Sequence, residues 1–210
     1  MNPVEASASS AEKILLAATD LFAANHFNGV SIKEIAKKSG VNSALISYYF
    51  GGKKNLYQEV LNEQSNLFLN LIARVSSKEL APLAKLREYI AAISEVQKLH
   101  PHRIHLIYRE LLTPTFMCDS FIKNRLYKIH KFMSDLVTDG IADGSIKKNV
   151  LPTHVAFTLE SIIVFFFLTH NQIRDLGNFE SGKENTYLEE TLNTYLSSIT
   201  NQVRGNEDVD

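Results

Sequence analysis

The sequence predicts an all-α fold on three observations. Apolar residues recur with a helical period along most of the chain. No segment alternates cleanly as a half-buried strand does, and no hairpin turn joins two such segments. Pro82, Pro101, Pro114 and Pro152 each sit where a helix would start or a loop would join two helices.

The first helix is expected from about Ser10 to Asn25. Ser9 and Glu12 have capping-box spacing, in which each side chain takes the other's orphan backbone N–H. Ile14, Leu15, Ala18, Leu21 and Phe22 then form one apolar stripe. Ser31 and Glu34 repeat the box for a short helix from Ile32 to Lys38. Ser39-Gly40-Val41-Asn42 makes a turn, and a third helix spans Ser43 to Phe50. Gly51-Gly52 breaks it, and a long helix follows from Lys53 toward Val75. Five more are expected at about 83–99, 102–112, 116–141, 153–170 and 185–203. The total is about nine helices. They divide into a three-helix head (10–52) and a larger bundle (53–203), between polar tails at 1–9 and 204–210.

Composition bounds the function. Of 210 residues, 45% are apolar and 21% charged, with a formal net charge of -1. A protein that coats nucleic acid indiscriminately would be far more basic. The single cysteine, Cys118, excludes an intrachain disulfide and a cysteine-based zinc site, and it reads as a structural or idle thiol. His100, His102 and His105 cluster, and the last two share a helix face at i, i+3. Apart from Glu110 they lack an acid or thiol partner at convincing spacing, so no metal and no cofactor is expected. The N-terminus has neither a basic region nor an apolar core of secretory type. The apolar run Ile162–Leu168 falls short of the roughly 20 residues that span a bilayer, so no membrane is expected. These features are compatible with a reducing cytoplasm.

Two short helices joined by a Gly-containing turn describe a helix-turn-helix, whose second helix enters a major groove. Ile35, Ala36, Val41 and Ile46 are spaced to fill its small core. The remaining face carries Asn42, Ser43, Ala44, Ser47, Tyr48 and Tyr49, short or phenolic groups that approach bases and phosphates closely. Lys33, Lys37, Lys38, Lys53 and Lys54 surround it against Glu34 alone. Lys53 starts a helix, where free N–H groups already favour an anion. On pattern alone, the same parts serve helical proteins that never meet DNA, with the tyrosines packed between lobes and the lysines merely solvated.

The stretch from Gly29 to Tyr57, GVSIKEIAKKSGVNSALISYYFGGKKNLY, resembles the N-terminal head of TetR-family transcriptional regulators, and the match extends over about residues 10–60. It includes Leu21-Phe22, the block Ser31-x-x-x-Ile35-Ala36-x-x-x-Gly40-Val41, and Tyr48-Tyr49-Phe50-x-x-Lys53-x-x-Leu56. The resemblance implies a DNA contact set. Ser31 and Lys33 match phosphate-contacting positions. Asn42, Ser43 and Ala44 match base and phosphate contacts. Tyr48 and Tyr49 match a phosphate-clamping pair, and Lys53 matches the lysine that opens the fourth helix. Ser47 stands where many members carry Tyr, and Tyr49 where many carry His. Ile107-Tyr108-Arg109-Glu110-Leu-Leu-Thr-Pro114-Thr is similar to a subgroup with an Arg-Glu…Pro helix in the ligand lobe.

The helix over 153–170 has no polar face in its second half, so one core cannot bury all of it. The amphipathic last helix is suited to pair with it. The resemblance implies a homodimer built from these two helices, and Phe165, Phe166, Tyr195 and Leu196 are the candidate contacts. Two heads one DNA turn apart then read a pseudo-palindromic double-stranded operator. The resemblance also implies a small-molecule effector in the larger lobe. Its candidate contacts are Tyr89, Tyr108, Arg109, Phe116, Phe121, Tyr127 and Phe157. The aromatics also suit plain core packing, and Arg109 suits a pair with a neighbouring acid. The expected function is a homodimeric repressor released from DNA by its effector. The alternative keeps the DNA binding without an effector, as an architectural or cell-division partner. An enzyme is not expected, because no nucleophile–base pair and no phosphate loop stand out.

Overall fold

A computed structural model describes residues 9–99, 101–116, 118–176 and 184–201. Both polar tails therefore fall almost wholly outside the described residues, as does His100. The side chains of His102 and Cys118 are likewise outside.

The described chain is all-helical apart from one isolated bridge. The elements are α1 (Ser10–Ala24), α2 (Ile32–Ser39), α3 (Ala44–Phe50), α4 (Lys53–Ser76), α5 (Pro82–Leu99), α6 (Pro101–Leu112), α7 (Cys118–Phe121), α8 (Tyr127–Ala142), α9 (Pro152–Leu176) and α10 (Glu184–Ile199). Helix α7 runs through a π-helical stretch, Ile122–Leu126, into α8. Counting that run once gives the nine helices of the sequence expectation. A segment with i→i+5 bonding leaves no periodicity signal distinct from an α-helix, so the interruption at 122–126 was not foreseeable.

Both capping boxes form. Ser9 N–H donates to Glu12 Oε2 at 2.7 Å, and Glu12 N–H donates to Ser9 Oγ at 3.2 Å. Ser31 and Glu34 repeat this at 2.7 and 3.2 Å. These bonds hold both glutamates below the usual carboxylate range. Gly40 closes α2 at φ 69° and Gly51 closes α3 at φ 71°, a region where a side chain would be strained.

Two compact units emerge. The first comprises residues 1–70 and 95–127, and the second 71–94 and 128–210. In the first, α1 packs on α2, α3 and α6. Ile14, Ala18 and Phe22 of α1, Ile35 and Ala36 of α2, Ile46 of α3 and Leu56 of α4 are buried there. Val41, expected in the same core, is half-buried. In the second unit α9 packs on α10. Ile146 bridges Thr200, Lys147 N–H donates to Ile199 O at 2.9 Å, and Lys147 Nζ reaches Ser198 O at 2.6 Å. A lysine at the last carbonyls of α10 is favoured by the helix dipole.

Helix α9 runs six residues past its expected end, to Leu176. Its window Pro152–Thr169 is long and apolar enough, by length and composition, to cross a bilayer. The sequence expectation counted only the unbroken run and so missed this window. His154 and Glu160 interrupt the window, and an ionised carboxylate near a bilayer centre is costly.

Candidate nucleic-acid interface

Helix α3 buries one residue, Ile46, and exposes the rest of its polar face. Asn42, Ser43, Ala44, Ser47, Tyr48 and Tyr49 are all exposed, Tyr48 at 78%. The physical cause is the helix period. With Ile46 fixed in the core where α3 packs on α1, positions 44, 47 and 48 must point outward. Six of the nine residues expected to touch DNA therefore share one open surface.

The start of α3 is pre-shaped. Asn42 Oδ1 accepts the Ala44 N–H at 2.9 Å, and Leu45 N–H donates to Asn42 O at 3.0 Å. The carboxamide oxygen is thus occupied in holding the turn, and its two N–H donors are what Asn42 has to offer a base or phosphate. Ser31 is similarly engaged, since its hydroxyl and its N–H both belong to the α2 capping box. Its hydroxyl hydrogen remains a donor for a phosphate. Lys33 is exposed. Tyr48 and Tyr49 meet edge to face, with ring centroids 5.0 Å apart.

Lys53 does not stand freely at the helix start. Its Nζ lies 4.2 Å from the centre of the Phe27 ring, a cation–π contact. Burial lowers its pKa, and the carboxylate of Glu34 acts in the opposite direction. The ammonium therefore lies against a ring at the N-terminus of α4, within the field of an acid.

Phe27 is a residue that pattern reading missed. Its ring touches Tyr57 at 5.0 Å, Phe116 at 5.1 Å and Phe22 at 6.0 Å. Lys54 Nζ lies 4.8 Å from the Phe116 ring. Phe27 occupies a three-residue 3-10 turn between α1 and α2, where no periodicity marks a buried face.

The candidate effector contacts divide between the two units. Tyr108 and Phe121 are buried in the first unit and Tyr89 in the second. Phe116, Tyr127 and Phe157 are exposed rather than grouped around a bundle centre, and Phe116 serves Phe27 and Lys54 instead.

Arg109 is bonded within the first unit. Its guanidinium donates from Nη1 to Ala23 O at 3.2 Å and from Nη2 to Phe22 O. These are the last carbonyls of α1, where a cation completes orphan acceptors and opposes the negative end of the dipole. The motif therefore fastens α6 to the head. Arg109→Ala is expected to lower stability by about 1–2 kcal/mol, and Tm by roughly 2–8 °C for a chain of this size. Thermal unfolding followed by circular dichroism checks this, and an unchanged Tm would remove the capping role.

Of the four dimer candidates, Phe165 is exposed at 63% and Tyr195 is half-buried. Phe166 and Leu196 turn inward and are buried in their own unit, with Phe166 against Phe167 and Tyr187. One residue along a helix is a rotation of about 100°, so Phe165 and Phe166 cannot share a face.

The family described as bacterial regulatory proteins of the tetR family matches residues 14–60. The HTH-type transcriptional regulator RutR of Escherichia coli (strain K12) is 29% identical over 146 residues, covering 70% of this chain and 68% of RutR. The solved structure of HlyIIR, a hemolysin II transcriptional regulator, is 26% identical with a TM-score of 0.66, covering 92% of this chain and 98% of that one. AibR, solved in complex with isovaleryl coenzyme A and operator DNA, has a TM-score of 0.69 at 19% identity, covering 89% and 97%. The matched segment contains the whole of α2 and α3 and the start of α4, the elements that carry the exposed polar face and its lysines. Residues 14–60 thus carry the head of the tetR family of bacterial regulatory proteins, and the chain as a whole has a TetR-like all-α architecture similar to that of HlyIIR.

Proposed function

We propose that the protein is a homodimeric, cytoplasmic repressor that binds a pseudo-palindromic operator and leaves it when a small molecule occupies the larger lobe. Residues 10–52 serve as the DNA-binding domain and residues 53–203 as the ligand-binding and dimerisation domain. The observation that carries this reading is the face of α3, with six exposed short polar, methyl and phenolic positions and one buried anchor.

The dimer rests on α9. Phe157 and Phe165 are eight residues apart, so they fall on one side of the helix, and both are exposed. A second copy of the same face covers them by two-fold pairing. Phe165 and Tyr195 remain the candidate contacts. Phe166 and Leu196 support the face from beneath.

Release by an effector requires that it prefer one of two states of the protein. A coupling of about 1–3 kcal/mol weakens operator binding roughly 5–150-fold. Helix α4 is the element suited to carry it, since it begins at Lys53 beside the DNA face and continues to Ser76. AibR, with both isovaleryl coenzyme A and operator DNA bound, is a fold relative of that design.

Lys53→Ala is expected to weaken binding to all DNA about equally, and to reduce the slope of log K against log salt by about one per head. Fluorescence anisotropy across a salt series checks it. A change in sequence preference at constant slope would show that Lys53 is not a phosphate anchor. The reading as a whole is tested by selecting fragments of the source genome with purified protein at near-physiological salt. A short pseudo-palindrome bound by a dimer supports it. Weak, sequence-blind binding overturns the apo form as the DNA-binding state.

A further inference from the structure

Two lysines open α4, and each lies against an aromatic ring. Lys53 Nζ is 4.2 Å from the centre of the Phe27 ring, and Lys54 Nζ is 4.8 Å from the centre of the Phe116 ring. The two rings meet edge to face, with centroids 5.1 Å apart and planes inclined at 73°. Successive residues of a helix diverge by about 100°. One ring is poorly placed to serve both ammonium groups, and two inclined rings can. Of these four residues only Lys53 belongs to the expected DNA contact set.

The position of Phe116 is fixed from within the first unit. The residue before it, Thr115, gives both its N–H and its hydroxyl to Glu110 Oε1, at 3.0 and 2.7 Å. Glu110 is buried, and its other oxygen accepts the Tyr57 hydroxyl of α4 at 2.8 Å. A buried carboxylate thus ties the turn after α6 to the start of α4, which carries the lysines. The Phe116 ring itself is 50% exposed. Half of a large apolar side chain stays in water, so burial alone is a weak reason for a ring at this position. A leucine would also cover Phe27, but it has no π-face to offer an ammonium.

Lys54 is exposed. An ammonium has three N–H donors, and a ring face takes up one side of it. That leaves the others for an anion, at the N-terminus of a 24-residue helix whose dipole favours one. A lysine loses rotamer freedom when it grips a phosphate, and a ring that already holds the side chain lessens that loss. We propose that Lys54 is a second phosphate anchor beside Lys53, and that Phe116 is the positioning residue that holds it for DNA. The turn after α6 then sets the strength of DNA binding without touching DNA. This deepens the DNA-binding reading of α3 and α4 and rests on it.

The test uses the purified full-length protein and two labelled duplexes of one length, one carrying the selected pseudo-palindrome and one scrambled. Anisotropy is read across a salt series. Lys54→Met keeps the stem and removes the charge. It is expected to weaken both duplexes and to reduce the salt slope by about 0.9 per head. Phe116→Leu is expected to weaken both duplexes about 2–5-fold per head, as loss of an exposed cation–π contact implies. Phe116→Trp, which keeps a ring, is expected to bind about as tightly as the unaltered protein. In a Lys54→Met background, Phe116→Leu should lose at least half of its effect, the remainder acting through Phe27 on Lys53. Thermal unfolding of each variant separates weakened binding from lost folding. If Phe116→Leu does not fold, the Lys54→Met slope still decides. An unchanged slope in Lys54→Met overturns the proposal. So does Phe116→Leu binding as tightly as the unaltered protein or more tightly, since the ring would then be idle or would withhold the lysine from DNA. Phe116→Trp binding as weakly as Phe116→Leu would leave only a packing role. Lys53→Ala separates the two readings. A loss with Lys53→Ala and none with Lys54→Met sinks the second anchor and keeps the DNA-binding reading. No salt-dependent binding by the unaltered protein sinks that reading and the proposal with it.

Discussion

Arginine in place of Ala44 is expected to abolish operator-specific binding while preserving salt-dependent binding to random DNA. Ala44 is the first residue of α3 and is exposed beside Asn42 and Ser47. Residues at the N-terminal end of a recognition helix lie nearest the base edges. A methyl there lets the backbone approach the groove floor, and a guanidinium on three methylenes holds it off. The added charge meanwhile finds a phosphate anywhere. Operator affinity should fall at least about 100-fold toward the non-specific level, which in such proteins lies roughly 10³–10⁷ below the specific one. Folding should be unaffected, since arginine is a good helix former and the position is open to solvent. Anisotropy with operator and scrambled duplexes measures both affinities. If the variant still discriminates between them, α3 does not enter the groove.

How much of this was legible in the sequence follows from how local each feature is. The capping boxes at Ser9–Glu12 and Ser31–Glu34 formed as read, because a box needs only two residues three apart. Gly40 and Gly51 closed their helices because positive φ is a property of one residue. The exposed face of α3 was legible because one buried residue, Ile46, fixes the rotation of a seven-residue helix.

The parts that were not legible depend on distant partners or on rotation. In α9 the run Ile162–Leu168 has no polar residue to set its angle, so Phe165 and Phe166 looked equivalent, and only packing against α10 distinguishes them. Arg109 lies 86 residues from Ala23 in sequence, and its role at the end of α1 is invisible until α6 docks there. Phe27, in its short turn, offered no period at all. Three of the seven residues assigned to an effector site proved exposed for a related reason. An aromatic residue on a helix need not point inward, because a helix has more than one side.

The second large effect is expected at Glu110. Glu110→Ala should destabilise the protein by about 3–5 kcal/mol, the range for removing one partner of a buried charged network. The carboxylate is 1% exposed. Its Oε2 accepts the Tyr57 hydroxyl at 2.8 Å, and its Oε1 accepts the Thr115 N–H at 3.0 Å and the Thr115 hydroxyl at 2.7 Å. Alanine takes both acceptors away and leaves a void, so the buried Tyr57 hydroxyl and the half-buried Thr115 donors lose these bonds. A drop in Tm of roughly 6–20 °C follows for a chain of this length. Glu110→Gln keeps the volume and one acceptor oxygen, and should cost less than half as much. Tyr57→Phe removes a single donor and should cost about 1–2 kcal/mol. The double variant of Glu110→Ala with Tyr57→Phe should be less damaging than the sum of its parts, because both changes remove the same hydrogen bond. Tyr57 also packs on Phe22 and Phe27, the ring beneath Lys53. A loosened Glu110 should therefore lower DNA affinity even in the fraction that stays folded, with the loss concentrated in the salt-dependent part. If Glu110→Ala costs less than about 1 kcal/mol, the carboxylate is not what ties α6 to α4. The Arg-Glu pair would then owe its place to Arg109 alone.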